Sequence, residues 1–513
     1  MFLINSVHRL NCLSIFCKLL FILCFTNVNT STGQTKNDSI SIDMDRPAFH
    51  FTPLKNFMND PNGLIYFKKK YHIFYQHNPL ENKWGHMSWG HATSKDLMKW
   101  VHHPVAIPED PKFMIYSGSV VNERKNVTGL GNGKPLLAAF YTAHTWEKET
   151  QNLAYSTDEG ITWTQYKGNP ILDIGKKDFR DPKVFWYEKD QSWIMLVCLP
   201  YEHSVLFYKS ADLINWKKTG EFAKEGYIEG IWECPDLFLL PVEGSMERKW
   251  VLTVSVGGKF IYNGSGQQYF IGDFDGNKFS NLYPKDTVRP IDYGKDFYAG
   301  VTFNNSKERI MIGWMNNWEY AGDLPTHPWK GTMSLPRRLA LRKIDGLYNL
   351  TQTPHSSLKK VDGKKYNFKS QTINQINQQL KSQQIKGKLS DVEIIAPADK
   401  NWGLKIRKGV TEETMVRYDP TSGKIYLDRS NSGAKVFKNS IDTFSAPLSG
   451  RGGNIKLQII SDVNCIEIFA NDGEKVISSL FFPAAESNQF EFYSSDEDLT
   501  IEKVTIKILK SKE

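Results

Sequence analysis

A chain of 513 residues with 40% hydrophobic and 13% aromatic content is longer than one average domain and can bury a sizeable core, so two domains are expected. Its formal charge of +8 is modest for this length. Lys and Arg are interspersed with Asp and Glu instead of forming a stripe, which argues against nucleic acid as a partner.

In chain order, His8 and Arg9 precede a mostly apolar run from Leu13 to Phe25, interrupted by Lys18, and then a polar stretch. Residues 1–30 read as a secretory signal, too short for a comfortable membrane span, and imply a secreted, periplasmic or cell-surface protein. A lipid anchor on Cys24 is the lesser alternative, because the bulky Leu23 precedes it. Three of the six cysteines lie in this segment, and the remaining Cys198, Cys234 and Cys465 define no disulfide framework.

From 45 to 345 the sequence is a succession of short apolar and aromatic runs, among them Gly63-Leu-Ile-Tyr-Phe, Tyr71-His-Ile-Phe-Tyr and Ile310-Met-Ile-Gly-Trp. Each is bounded by Gly, Asn, Asp or Pro and predicts a strand. A loose repeat overlies them: Ser94-Lys-Asp-Leu-Met-Lys-Trp100, Ser156-Thr-Asp-Glu-Gly-Ile-Thr-Trp163 and Ser210-Ala-Asp-Leu-Ile-Asn-Trp216, with a degenerate copy from Gly272 to Phe279. One four-stranded blade per copy predicts an all-β, five-bladed β-propeller. The bland alternative is a set of unrelated turns with ordinary Asp and Ser chemistry. The Lys- and Gln-rich stretch 346–386 reads as a linker with a short helix through Ile373, Ile376 and Leu380, and 387–513 as a β-sandwich in which Ile455, Leu457 and Ile459 alternate inward.

Three acidic residues stand at the ends of apolar runs beside proline: Asp60 in Met58-Asn-Asp-Pro-Asn-Gly63, Asp181 in Phe179-Arg-Asp-Pro182, and Glu233 in Trp232-Glu-Cys-Pro-Asp236. The inner strands of a propeller converge on its axis, so acids from different blades can meet there. Glycoside hydrolysis requires such a meeting, with one carboxylate at the anomeric carbon and one carboxylic acid protonating the leaving oxygen. Apolar surroundings such as Trp232 suit the acid; donors such as Asn59 and Asn62 suit the ionised partner. Six of the twelve histidines fall between 72 and 103 (His72, His77, His86, His91, His102, His103). They follow strand spacing without a ligand motif, so neither metal nor cofactor is expected.

These three motifs, in this order, resemble the family 32 glycoside hydrolases, the invertase, inulinase and levanase group. The resemblance covers roughly residues 47 to 513 and implies a five-bladed propeller followed by a sandwich. It implies Asp60 as nucleophile, Glu233 as general acid/base and Asp181 as the residue that binds fructose hydroxyls and stabilises the transition state. Gln76, Trp84, Tyr116, Ser117, Tyr298 and Trp314 are implied to line the fructose pocket, with Asn59 and Arg180 of the motifs, and Arg180 is expected to hold Asp181 ionised. The chain departs from the family at Phe57 and Tyr116, where relatives usually carry Trp and Phe; both changes keep an aromatic wall. The segments Gly264–Gly276, Asp292–Tyr298 and Gly313–Tyr320 are most similar to exo-acting levanases and inulinases, so sucrose or a fructan is the implied substrate and retaining hydrolysis the implied reaction. A sialidase-type propeller shares the Ser156–Trp163 box but needs an arginine cluster not found here. A non-catalytic sugar-binding propeller and a fructosyltransferase are the other rivals.

Overall fold

The apolar runs pair into five antiparallel meanders, each beginning with the strand nearest the propeller axis: Asn56–Phe67, Met114–Glu123, Arg180–Tyr187, Ile231–Pro241 and Tyr298–Thr302. This is a computed structural model that describes residues 46–123, 125–437, 441–496 and 498–511. The signal segment, with Cys24, lies outside the described residues. Each of the five inner strands packs against the next, and Tyr298–Thr302 packs back against Asn56–Phe67, so the blades close into a ring. The short strand Trp329–Lys330, from the long loop of blade five, pairs in parallel with Asn56 and Phe57 and ties the last blade to the first.

Blades stack face to face, so their strands are buried on both sides and the alternation expected of a half-exposed sheet is largely lost; the second strand of blade three, Ser192–Leu199, is buried throughout. Five apolar clusters fill the five gaps between neighbouring blades, anchored by Phe74 and Tyr141, Phe140 and Met195, Leu196 and Leu252, Ile271 and Met311, and Ile312 and Ile73. Each such side chain contributes about 1.5–3 kcal/mol by leaving water. The repeated Ser and Asp close the turn between the third and fourth strands of successive blades. In blade one Ser94 Oγ accepts from Leu97 N at 2.8 Å and Asp96 Oδ1 from Lys99 N at 2.8 Å; Ser210 and Asp212 repeat this in blade three.

The stretch 346–386, expected as a linker with a short helix, is mostly regular structure built into both domains. Leu347–Pro354 is the fourth strand of blade five, and Gly363–Thr372 pairs with Thr500–Leu509 at the edge of the sandwich. Its polar composition reflects edge and outer positions that face water. Helix α1, Ile373–Ser382, starts at a capping box of Thr372 and Gln375 and buries Ile373, Ile376 and Leu380 in the sandwich core. The sandwich packs a six-stranded sheet on a five-stranded one, and Ser390–Pro397 alternates strictly between core and surface.

A buried charged network joins propeller and sandwich. His50 Nδ1 lies 2.8 Å from Asp462 and its Nε2 3.0 Å from Glu467, while Arg337 reaches both Glu467 and Asp292. Burial opposes a charge on His50, but Asp462 and Glu467 outweigh it and push its pKa up to about 9.

Candidate active site

All five inner strands are irregular near the same end of the ring. The pairing register shifts between Met58 and Pro61, Ile115 and Gly118, Arg180 and Lys183, Glu233 and Asp236, and Tyr298 and Val301. Such bulges re-aim side chains out of the alternating pattern, here toward the axis. They also accommodate the prolines of the three motifs, which have no N–H for a ladder: Pro182 and Pro235 fall within the shifts, and Pro61 is the first paired residue after one. Asp181 and Cys234 take left-handed backbone, at φ of 67° and 48°. Non-glycine residues hold such geometry at a cost of about 1–3 kcal/mol, usually where function requires it. At Gly118 a Cβ would lie 1.9 Å from the Phe140 carbonyl oxygen, so only glycine lets the second blade's inner strand approach closely enough to present Ser117.

The bulges bring Asp60, Asp181 and Glu233 together. Asp60 Oδ2 accepts from Ser117 Oγ at 2.8 Å and Cys234 Sγ at 3.4 Å, and Oδ1 from Asn59 Nδ2 at 3.0 Å. Cys234 N donates to Asp181 Oδ2 at 2.8 Å, so one residue touches both aspartates. Glu233 Oε1 accepts from Arg180 Nη1 at 3.0 Å, and Oε2 from the Tyr298 hydroxyl. Behind Asp60 runs a relay: Gln76 Nε2 donates to the Asn62 amide oxygen at 3.0 Å, and the Asn62 amide nitrogen donates to Ser117 Oγ at 3.3 Å.

Burial, then the Glu233 charge, raises the Asp60 pKa against the pull of Ser117, Asn59 and Cys234. Burial and Glu233 raise Asp181 well above the carboxylate range, and Arg180 only partly offsets them. Burial likewise pushes the Cys234 thiol up, aided by Asp181 and Asp60, so it stays a protonated donor. Asp60 and Asp181 therefore hold a proton more tightly than isolated carboxylates do.

Three sequence expectations are corrected here. Arg180 does not pair with Asp181: its Nε binds Glu149, Nη2 binds Asp178 and Nη1 binds Glu233, which occupies the guanidinium with carboxylates and leaves few donors for sugar hydroxyls. Trp232 does not supply an apolar wall for Glu233, because adjacent strand residues face opposite ways. Trp232 is instead buried between blades three and four with Phe222, its Nε1 bonded to Tyr227 O. Asn62 acts through Ser117, not directly on Asp60.

The remaining expected residues gather at the same mouth. Trp84, 42% exposed, lies edge-on to Tyr116, whose ring stacks on His144 at 4.1 Å. Trp314 is buried beside Phe57 and Tyr298. Trp314 Nε1 and Asn59 Oδ1 are buried and have no partner among the described residues.

Sequence reasoning missed Glu149, Asp178, His144, Trp146 and Trp318. Glu149 is fully buried and accepts from Arg180, His144 Nδ1 and Phe179 N; burial opposes its charge, but these donors prevail and hold its carboxyl below the usual range. Nothing in Lys148-Glu-Thr150 signals this, since the partner comes from another blade. Asp178, two residues before Arg180, was legible as an acid beside a motif. Trp318 packs at a tilt on Trp314, 4.7 Å between ring centroids, and Trp146, 71% exposed, meets the edge of His144. His72, His91 and His103 form a stack with Phe74 in blade one, and His72 Nδ1 sits 3.1 Å from His91 Nε2.

The model of the glycosyl hydrolases family 32 N-terminal domain matches residues 50–354, and that of the family 32 C-terminal region matches 357–508. The chain belongs to glycosyl hydrolase family 32. It is 42% identical over 488 residues to the levanase of Bacillus subtilis (strain 168), covering 92% of this chain and 72% of that one. To the extracellular exo-inulinase of Aspergillus ficuum it is 35% identical over 485 residues, covering 86% and 90%. The crystal structure of exo-inulinase from Aspergillus awamori superposes with a TM-score of 0.84 at 33% identity, covering 91% of this chain and 98% of that one. The family 32 propeller and sandwich thus extend over all the sheets described above. Among the described residues no helix is long and apolar enough to cross a membrane.

Proposed function

We propose that this family 32 enzyme is a retaining exo-β-fructosidase that removes terminal, non-reducing β-D-fructofuranosyl units from levan, inulin and sucrose, and that it is secreted through its N-terminal segment. The observation that carries the reading is the convergence of Asp60, Asp181 and Glu233, from three blades, on one bulged end of the propeller axis. The relatives named levanase and extracellular exo-inulinase support the substrate class and the location.

In the first step an Asp60 carboxylate oxygen bonds to the anomeric C2 while Glu233 gives its proton to the departing glycosidic oxygen. In the second, Glu233 takes a proton from water, whose oxygen attacks C2, releasing fructose and restoring the Asp60 carboxylate. Asp181, held by the Cys234 N–H, is placed to bind fructose hydroxyls, and Trp84, Tyr116 and Trp314 to wall the ring. Arg180 and Tyr298 are positioning residues that fix Glu233. Asp60 and Asp181 are only 8% and 6% exposed, so a chain end reaches them where a chain interior cannot, which favours exo cleavage.

Asp60→Ala and Glu233→Ala are each expected to lower fructose release from all three substrates by about 10⁴-fold or more. Release by either variant at the wild-type rate removes the assignment.

A further inference from the structure

The inner strands that carry the carboxylates near their N-terminal ends continue to the other face of the propeller, where a cavity of about 1010 Å³ opens. Asp181 and Trp186 lie on the same strand, and five residues at about 3.3 Å each separate the two regions by about 17 Å. This cavity is distinct from the carboxylate site.

Its walls combine two features. Phe185, Trp186 and Trp250 are partly buried and offer flat apolar surface, with Phe185 and Trp250 in contact at 5.9 Å between ring centroids. Around them are unpartnered polar groups of both kinds. Asp236 is fully buried and bonds through Oδ2 to Lys183 and Thr302, but its Oδ1 has no partner among the described residues, and neither does Asn122 Oδ1. The Arg309 guanidinium makes only long bonds through Nη1, 3.3 Å to Thr302 Oγ1 and 3.5 Å to Phe303 O. It therefore has donors to spare.

Five basic and three acidic side chains line the cavity, so neither sign prevails strongly. An anion would satisfy Arg309 and be repelled by Asp236. A hydroxyl donates and accepts, and so suits Asp236, Asn122 and Arg309 together, while the C–H faces of sugar rings suit the aromatic walls. The volume is that of a site for several linked small rings.

We propose that this cavity is a second, non-catalytic saccharide site that holds a stretch of neutral fructan while the opposite mouth trims chain ends. The identity of the saccharide rests on the function proposed above; the chemistry of the cavity does not.

The test is calorimetric titration of the full chain with a short inulin-type fructo-oligosaccharide, in a Glu233→Gln background that leaves the probe uncut. Two molecules bound per chain are expected. Asn122→Leu and Trp186→Ala, added singly, should weaken one of the two sites by about tenfold and leave the other unchanged. Without the Glu233 change, the same two variants should hydrolyse sucrose at the wild-type rate, which also shows that they fold. Asn122→Leu removes an unpaired acceptor and should leave Tm unchanged, so it decides the matter if Trp186→Ala does not fold. A single site per chain, or a second site indifferent to both variants, overturns the inference and leaves the hydrolase reading standing. Tighter binding of inorganic phosphate than of the oligosaccharide at the cavity overturns the neutral-sugar class. Failure of the wild type to release fructose would instead sink the function from which the saccharide was named.

Discussion

Ser117→Ala tests how Asp60 is kept able to ionise. Ser117 Oγ donates to Asp60 Oδ2 at 2.8 Å, both groups are buried, and the hydroxyl is one of three donors that resist the upward push of burial and Glu233 on the Asp60 pKa. A hydrogen bond to a charged group contributes about 1.5–3 kcal/mol, and one pKa unit corresponds to about 1.4 kcal/mol, so removing it raises the pKa by roughly one to two units. Asn59 and Cys234 remain and take up part of the loss, which favours about one unit. In the proposed mechanism the ionised form attacks, so the acid limb of the kcat/KM profile for fructose release should move to higher pH by that amount. Well above the limb the rate should fall much less, because the carboxylate is then ionised with or without the serine. An acid limb that stays in place, or moves to lower pH, refutes the role given to Ser117.

Two further predictions concern stability. Burial lowers the pKa of His72 and of His102 from 6.5 to about 4 and places that of His91 well below 6.5, so these rings are neutral in the fold and their stabilisation is lost as pH falls from 6.5 toward 4. His72 alone then costs about 3 kcal/mol at pH 4, and His91→Phe, which removes the ring stacked on His72, should show a smaller drop in Tm between pH 6.5 and 4 than the wild type. His50 behaves oppositely: with its pKa raised to about 9, its contribution is complete below pH 6.5 and is lost as pH rises through 9. His50→Gln should therefore be destabilised relative to the wild type in denaturant melts at pH 6, with the difference shrinking by pH 10; a constant difference would show that the charge on His50 is irrelevant to the seam.

Much of this molecule was legible in its sequence because the information was local. Short apolar runs between turn residues announced strands, the spaced Ser, Asp and Trp announced one turn per blade, and three acids beside prolines marked inner-strand positions that could meet on the axis. Composition misled at 346–386, where Lys and Gln suggested a linker, because an edge strand with one face in water has the same polarity. The partners of Arg180 and the direction of Trp232 were not legible. Strand alternation sends Trp232 away from Glu233, and Arg180 is claimed by Glu149 from blade two, so both outcomes depend on how blades meet and not on neighbours in the chain. The acids that meet on the axis could thus be picked out from the sequence, whereas which carboxylate each donor serves was decided only when five separate strands were brought to one axis.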